Sequence, residues 1–260
     1  MRFSIITIVK NGYPEIKNTV KSVLNQDFKD FEYIILDSCS DDGTSEFFKN
    51  FKNKKIHYER KRDGGIYHAL NKSSLKIKGE YVINLHSGDL FYSNSILQKL
   101  NKIIKNNKKY DFFFSNIAYY KKDKVVRLWR MPFKKFNGLS FLRIPHTSIC
   151  VKSKIAKKIY YDTNYKISSD TNYLLKICKS YNGKYLDQFM TFMVVGGVST
   201  SVNSFFLKLK EDLLILIKEF GILFIFVWIY KILIKIPGLF VNKKIFTSKL
   251  IKQKKINNFF

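Results

Sequence analysis

The chain has little cysteine, and what it has is badly placed for cross-linking. Three cysteines occur in 260 residues, at Cys39, Cys150 and Cys178. Their number is odd and no C-x-x-C pair is present, which argues against a disulfide framework and against a zinc site. We therefore expect a protein of a reducing cytoplasm.

Arginine is scarce as well, although the chain is strongly basic. The net charge is +27, yet only six of the 47 basic residues are arginine. Arginine is the residue best suited to bidentate recognition of phosphates and bases. Nucleic acid is therefore not the expected partner, and the charge is better suited to an anionic lipid surface and an anionic substrate.

The sequence also lacks a signal peptide, a clear membrane-spanning run and a glycine-rich dinucleotide fingerprint. The apolar start of the chain is short, interrupted by polar residues and followed by no small-residue cleavage site, so it predicts a strand rather than a signal peptide. The apolar run Phe220–Tyr230 is shorter than the roughly 20 residues of a membrane-spanning helix. One glycine, Gly12, follows the first strand, which argues against the glycine-rich fingerprint of a dinucleotide-binding dehydrogenase.

Strands and helices alternate along the first part of the chain. Strands are predicted at Phe3–Val9, Phe31–Leu36, Lys55–Glu59 and Tyr81–Leu85, and helices after Pro14, at 44–51 and at 66–78. Further on, the sequence predicts a helix from Asn94 to about Asn106 and strands at 111–119 and 125–131. This alternation predicts a doubly wound α/β fold with a mostly parallel sheet and helices on both faces.

The stretch Tyr81–Phe91 places a carboxylate just beyond a buried strand. Its first half is apolar and β-branched, and Ser87-Gly88-Asp89 is a sharp break. Ligands of open α/β sheets bind at this edge, where a carboxylate can share a divalent cation with a diphosphate. The alternative is that Asp89 only caps the following helix.

Four stretches of the sequence match one known family. They are Ser4–Asn11 (SIITIVKN), Ser22–Gln26 (SVLNQ), Glu32–Thr44 (EYIILDSCSDDGT) and Asp63–Lys72 (DGGIYHALNK). Together they resemble the nucleotide-binding half of family 2 glycosyltransferases, most closely those of bacterial capsule, colanic-acid-type and O-antigen synthesis. The resemblance covers roughly the first 200 residues. It implies a GT-A fold, a nucleotide-sugar donor, a divalent metal and inversion at the anomeric carbon.

The resemblance also assigns residues to the donor site. It implies that Thr7, Val9 and Asn11 line the base pocket, that Asp37 holds the base, and that Asp63 and Ser87 lie near the nucleotide. Asp89 occupies the last position of the metal motif and is the expected ligand of Mn²⁺ or Mg²⁺. The sequence departs from that motif because His86 and Gly88 stand where other members often carry acids.

The acceptor half carries the expected catalytic residues. Asp170 matches the position of the catalytic base, at the head of a predicted helix, although Ser168-Ser169-Asp170 is also a good helix cap. His146 matches a histidine common in these relatives and is the competing candidate for the base.

The chain changes character near residue 205. We predict a glycosyltransferase domain over 1–204, divided into a nucleotide-sugar half (1–92) and an acceptor half (93–204), followed by an arm over 205–260. The arm combines an amphipathic part, with charges on one helical face, an apolar part with Trp228, and a lysine-rich tail. An interfacial membrane anchor fits this pattern, and packing on the domain or on a second copy in a homodimer is the alternative.

These features predict an inverting, metal-dependent glycosyltransferase peripheral to the inner face of the bacterial plasma membrane. The expected donor is a UDP-sugar, with a GDP-sugar as alternative, and the expected acceptor is a lipid-linked or growing polysaccharide. A non-catalytic nucleotide-sugar-binding or membrane scaffold protein is the alternative function.

Overall fold

A computed structural model describes residues 1–122, 124–131, 136–196 and 202–233. Its strands are β1 (Phe3–Val9), β2 (Phe31–Asp37), β3 (Ile56–Arg60), β4 (Tyr81–Asn84), β5 (Leu90–Phe91), β6 (Phe112–Lys121), β7 (Lys124–Trp129), β8 (Ile149–Lys152) and β9 (Gly183–Val194). Its α-helices are α1 (Glu15–Leu24), α2 (Thr44–Asn50), α3 (Ile66–Ser74), α4 (Ile96–Lys105), α5 (Ser153–Ala156), α6 (Ser169–Ser180) and α7 (Val202–Phe220).

The described strands form one nine-stranded sheet, in the order β3-β2-β1-β4-β8-β6-β9-β5, with β7 paired to β6. The first four strands are mutually parallel. Antiparallel pairs enter with β8 and recur in the second half, where β6 and β9 are again parallel. The predicted α/β fold is therefore confirmed, with a parallel nucleotide half and a mixed acceptor half.

Helices cover both faces of the sheet, as a doubly wound fold requires. Every residue of β1 and β2 is buried, which explains their continuous apolar runs. On β1, Ile5 points into the cluster that contains Ile16 of α1, whereas Ile6 points into the cluster that contains Leu174 of α6 and Leu216 of α7. The two cores lie on opposite faces because successive strand residues alternate.

Most predicted elements of the first half are present with nearly the predicted bounds. The helix expected to reach residue 78 ends at Ser74, and the helix expected to start after Asn94 has Ser95 as its N-cap. The strands β5, β8 and β9 were not predicted from the sequence. They are short or interrupted by polar residues, and their pairing partners lie far away in the chain.

The described part of the C-terminal arm, up to residue 233, is a helical hairpin. Within the segment Phe206–Leu233, the most apolar window of 18 residues has a mean hydropathy of 2.2, and the segment is, by length and composition, sufficient to cross a membrane. However, Lys231 Nζ lies 2.6 Å from Asp212 Oδ2, although a straight helix would hold residues of that separation about 28 Å apart. The chain turns back at Gly221–Leu223, where Gly221 has a φ of 53°, and residues 224–233 form the second helix.

The hairpin packs on the domain through one face. Ile215 and Leu216 are 2% and 0% exposed and belong to the core that also contains α6. The other face is apolar and open, with Ile222 86% and Phe226 70% exposed. The packed alternative thus describes one face of the arm, and the predicted lysine-rich tail, at Lys243 to Lys255, lies outside the described residues. The predicted boundary at 204 remains a prediction.

Candidate active site

The candidate site lies at the carboxyl edge of the parallel strands. The turns after β1, β2 and β4 meet there because parallel strands end on the same side of the sheet. A side-chain Cβ at Gly12 would lie 2.6 Å from Val9 Cγ2 and would also collide with Ser87 Oγ. Glycine therefore allows the first turn to approach the turn after β4.

Asp37 is buried at the end of β2 and is fully engaged inside the fold. Its carboxylate accepts hydrogen bonds from Ser40 N (2.8 Å), Ser40 Oγ (2.5 Å), Ser45 Oγ (2.6 Å) and Tyr58 OH (2.6 Å). Burial raises the pKa of Asp37, but these hydrogen bonds outweigh it and lower the pKa below the usual value. Asp37 therefore holds the 38–45 segment in place. Its predicted contact with the nucleobase of the donor stays a prediction.

Two residues expected to line the base pocket lie beneath it. Thr7 is 0% exposed, and its hydroxyl contacts Tyr33 OH at 2.9 Å and donates to the Leu85 carbonyl at 2.5 Å. Val9 is 2% exposed in the same core as Ile16. The prediction that both line the pocket is corrected: these side chains form its buried floor.

Asn11 and Asp63 lie at the carboxyl edge of the sheet, and their predicted contacts with the base and the nucleotide stay predictions. Asn11 has a φ of 52°, and its side-chain oxygen accepts a hydrogen bond from Asp41 N at 3.1 Å. The half-buried Asp63 accepts hydrogen bonds from Ser38 Oγ at 3.0 Å and from Gly65 N at 2.9 Å. The turns after β1, β2 and β3 are therefore joined by side-chain bonds into one rim.

Asp89 does not have the exposure expected of a metal ligand. It is 3% exposed, and its Oδ1 accepts a hydrogen bond from Val194 N at 3.1 Å. Burial raises the pKa of Asp89 to about 7, so the environment disfavours the ionised form that binds cations. No group of three His, Cys, Asp or Glu side chains suited to a metal occurs in the part of the chain that the structure describes.

The structure shows Asp89 bonded within the fold, where its side chain ties β5 to the end of β9. A single carboxylate that shares a cation with a diphosphate needs no cluster of three protein ligands, so the prediction that Asp89 anchors the metal stays a prediction. His86 and Gly88 occupy the neighbouring motif positions, so no described acid replaces Asp89 there.

Two histidines stack beside the end of β4. The rings of His86 and His146 are 5.5 Å apart at their centroids and 12° from parallel, with His86 Nε2 3.4 Å from His146 Nδ1. Asn84 Nδ2 donates to Tyr161 OH at 3.1 Å, and Tyr161 OH lies 2.5 Å from His146 Nε2. Because Tyr161 OH accepts the hydrogen bond from Asn84, its own hydrogen is available to donate to His146 Nε2.

This surrounding favours neutral imidazoles. Burial lowers the pKa of His146 to about 4. Burial and the neighbouring His146 lower the pKa of His86 to about 3, while the charge of Asp170 acts in the opposite direction. The same charge raises the pKa of Tyr161, after the larger effect of burial. Asp170 therefore lies within electrostatic range of the histidine cluster.

Asp170 is the second residue of α6, at the predicted helix head. It is half-buried, and its Oδ1 accepts a hydrogen bond from Thr171 N at 2.8 Å. None of the ion pairs among the described residues involves Asp170. Ser168 occupies the N-cap position of α6, but its side chain makes no capping hydrogen bond to the helix.

Unpartnered buried polar atoms are concentrated around this cluster. In the described parts of the chain, the site segments contribute Asn84 Oδ1, His86 Nδ1, Ser87 Oγ, Thr147 Oγ1, Ser169 Oγ and Asn172 Oδ1. Buried polar groups in folded proteins normally have hydrogen-bond partners, because a buried group left without a partner costs about 1–3 kcal/mol. Their position is consistent with a polar ligand at the junction of β4, the 146–147 turn and α6.

Several site residues were not predicted from the sequence. Tyr161 stacks on Tyr173 at 4.2 Å and on Tyr67 at 5.8 Å, and Asn84 joins this group through its side chain. The tyrosines carry no motif signal by themselves, since an aromatic residue in a core segment is ordinarily packing. Asn84 did carry one, because it is a polar residue inside an otherwise apolar strand.

The family model of "Glycosyl transferase family 2" matches residues 4–186. This covers both halves of the sheet and the Asp170 helix. The chain belongs to glycosyl transferase family 2. The resemblance stated from the four sequence stretches is thereby confirmed.

Curated relatives of this family 2 chain are themselves glycosyltransferases. An uncharacterised one from Methanocaldococcus jannaschii is 27% identical over 201 residues, 72% of this chain and 69% of the relative. One from Rickettsia bellii is 33% identical over 148 residues, but this chain spans only 21% of its length. The putative teichuronic acid biosynthesis glycosyltransferase TuaG of Bacillus subtilis is 31% identical over 113 residues, 42% of this chain and 44% of TuaG.

Solved structures share the family 2 chain's fold. Staphylococcus aureus TarS 1–349 in complex with UDP-GlcNAc matches with a TM-score of 0.68 and 18% identity, over 84% of this chain and 67% of that one. The mannosyltransferase PcManGT of Pyrobaculum calidifontis, in complex with GDP-Man and Mn²⁺, matches with a TM-score of 0.60 and 15% identity, over 84% and 63%. At these identities the comparison establishes the GT-A-like fold.

Proposed function

We propose that this family 2 glycosyltransferase moves a sugar, with inversion, from a nucleotide-diphosphate sugar to a hydroxyl of a lipid-linked or growing bacterial surface glycan. The observation that carries the proposal is the packing of α6 against the cluster of His86 and His146 at the strand edge, among unpartnered polar atoms. Tyr173 of α6 contacts His146 with 6.2 Å between the ring centroids, and Asp170 of the same helix lies within electrostatic range of His86. A donor and an acceptor hydroxyl at this junction would supply the missing hydrogen-bond partners.

Asp170 is the base in this proposal. Inversion in one displacement requires a group that removes the proton of the acceptor hydroxyl as its oxygen attacks the anomeric carbon. The new carbon–oxygen bond forms as the bond to the diphosphate breaks, and the nucleoside diphosphate leaves with that electron pair. The N-terminus of α6 stabilises an ionised carboxylate at this position.

His146 serves as a wall and hydrogen-bonding residue rather than as the base. A histidine base becomes a cation when it takes a proton, and burial opposes the cationic form of this ring by lowering its pKa to about 4. Its Nε2 is already occupied by the Tyr161 hydroxyl at 2.5 Å. Both observations favour Asp170.

A UDP-sugar is the favoured donor and a GDP-sugar is the alternative. The support is indirect: TarS is described with UDP and UDP-GlcNAc, and PcManGT with GDP-Man and Mn²⁺. Mn²⁺ or Mg²⁺ is the expected metal, and the assay tests it directly. The described residues hold no group of three side chains that could bind a metal ion without the donor.

A screen of UDP-, GDP-, dTDP- and CMP-sugars tests the proposal. The full chain is incubated with each donor, with Mn²⁺, Mg²⁺ or EDTA, and released nucleotide is measured with and without a lipid-linked acceptor. We expect release from one donor and the opposite anomeric configuration in the product. Tight donor binding without turnover in any mixture would instead identify the non-catalytic alternative.

We also propose that the open face of the hairpin lies on an anionic membrane surface, at the inner face of the plasma membrane. Its apolar side chains face outward, and the chain carries a net charge of +27. Both helices of the hairpin are bonded to the domain, through Glu211 in α7 and Tyr230 in the second helix. This arrangement favours a hairpin lying on the bilayer over one surrounded by lipid.

Vesicle co-sedimentation tests the membrane proposal. The full chain should sediment with vesicles containing phosphatidylglycerol and less with pure phosphatidylcholine. The double variant Ile222→Asp, Phe226→Asp should lose this binding without a change in melting temperature, since both side chains are exposed. Wild-type sedimentation by the variant would contradict the assignment of this face.

A further inference from the structure

A carboxylate of the arm is bonded to the backbone that leads into the Asp170 helix. Glu211 of α7 is 6% exposed. Its Oε1 accepts a hydrogen bond from Lys166 N at 2.8 Å, and its Oε2 accepts from Ile167 N at 2.9 Å and from Ser168 N at 2.8 Å. Three consecutive backbone donors are thus satisfied by one side chain.

The same segment is also held by a side chain of α3. Tyr67, in α3, donates its hydroxyl to the Ile167 carbonyl at 2.5 Å. Burial raises the pKa of Tyr67, and the nearby charges of Asp170 and Glu211 raise it further, which places both carboxylates within range of one phenol. Ser168 is the N-cap of α6, two residues before Asp170.

We infer that Glu211 is a positioning residue of the acceptor half, which acts through the 166–168 backbone to fix the place of Asp170. The inference rests on the proposed role of Asp170 as the base. Charge-assisted bonds to backbone N–H groups are stronger than neutral ones, so this clamp is stiffer than ordinary loop contacts. The hairpin is then a part of the catalytic unit as well as its membrane-facing surface.

A second contact of the hairpin reaches the other candidate segment. Tyr230 accepts a hydrogen bond from Arg143 Nη2 at 2.9 Å, and the Arg143 carbonyl accepts one from Trp129 Nε1 at 3.1 Å. Arg143 lies three residues before His146 in the chain. The hairpin therefore contacts the chain just ahead of both His146 and Asp170.

The test compares Glu211→Gln with Glu219→Gln. Glutamine matches the size of glutamate but is neutral, and its NH₂ group would face one of the three backbone donors. Glu219 lies on the same helix and pairs with Lys179 at the surface, which makes it a matched control. We expect Glu211→Gln to lower kcat for transfer about 10–100-fold, with donor KM and nucleotide affinity unchanged, because small misplacements of a catalytic group are costly.

Tyr67→Phe is the second variant, since it removes only the hydroxyl that holds Ile167. It should reproduce the loss of kcat, and the double variant should lose less than the product of the two single losses because both bonds fix one segment. This variant decides the matter if Glu211→Gln does not fold.

Amide hydrogen exchange gives a readout that does not depend on activity. Exchange in the first turn of α6, where Asn172 N bonds to the Ser168 carbonyl, should accelerate in Glu211→Gln and not in Glu219→Gln. Unchanged exchange in this turn, or wild-type kcat in a folded Glu211→Gln, would overturn the inference. Absence of any transferase activity in the wild type would count against the proposed function. The exchange result would then test only whether Glu211 holds the 166–168 backbone.

Discussion

The histidine cluster makes a quantitative prediction about acid stability. His146 has a pKa of about 4 in the fold, compared with 6.5 for the ordinary side chain. Because the folded pKa is depressed, the unfolded chain binds the proton more tightly. The stability is fully present above pH 6.5 and is lost as the pH falls toward 4.

The size of the loss follows from the two pKa values. Each pH unit between them corresponds to about 1.4 kcal/mol, so protonation of His146 destabilises the fold by about 3 kcal/mol, most of it by pH 4.5. The physical cause is burial of the ring with its Nε2 occupied by the Tyr161 hydroxyl. His86, with its pKa lowered to about 3, acts in the same direction: its contribution is also lost as the pH falls below 6.5, and the loss continues down to about pH 3.

Urea unfolding at pH 7.5, 6.5, 5.5 and 4.5 measures this effect. His146→Gln removes the titrating ring, so the variant should be less stable than the wild type at pH 7.5 but should lose about 3 kcal/mol less on acidification. His68→Gln, at an exposed position, is the control and should follow the wild type. Parallel loss of unfolding free energy in the wild type and His146→Gln would refute the reasoning.

Three further predictions concern the base, the metal and the arm. Asp170→Asn should lower transfer by about 10²–10⁴-fold with unchanged nucleotide affinity, measured by product formation and calorimetry, and a near-wild-type rate would return the role to His146. Without a donor, Mn²⁺ should show no saturable micromolar binding by calorimetry. If saturable binding is observed and Asp89→Asn abolishes it, Asp89 binds the metal by itself. Leu216→Ala should cost about 2–5 kcal/mol of unfolding free energy, whereas Leu214→Ala at a 47% exposed site should cost little, and equal costs would show that α7 is not packed as described.

The nucleotide half was predictable because its signals are local. Mostly apolar runs such as Phe3–Val9 are characteristic of strands buried on both faces, and each is followed by turn residues at the sheet edge. The acceptor half was less predictable. The strand β9 pairs in parallel with β6 across about 70 residues, and its burial alternates irregularly around two register shifts.

The site was predictable in place and less so in detail. Motif positions located Asp37, Asp63, His146 and Asp170 at one edge, but motif positions do not give exposure. Asp37 accepts four hydrogen bonds from its own loop and a neighbouring strand, and Asp89 is enclosed by β5 and β9. Whether a carboxylate faces a ligand or the backbone depends on donors that the sequence does not identify.

Glu211 illustrates the physical reason. A charge on one face of an amphipathic helix is ordinarily a solvated side chain, and the sequence pattern of α7 has that form. The structure instead turns Glu211 and Asp212 inward, beside the buried Leu216, and leaves apolar side chains such as Leu214 and Ile217 exposed. The partners of Glu211 are three backbone N–H groups, which every residue except proline possesses. The residue types at 166–168 therefore could not predict this contact. Only the fold brings this row of backbone N–H groups to the Glu211 carboxylate, and only the fold shows which apolar face of the hairpin is left open for the membrane contact that we propose.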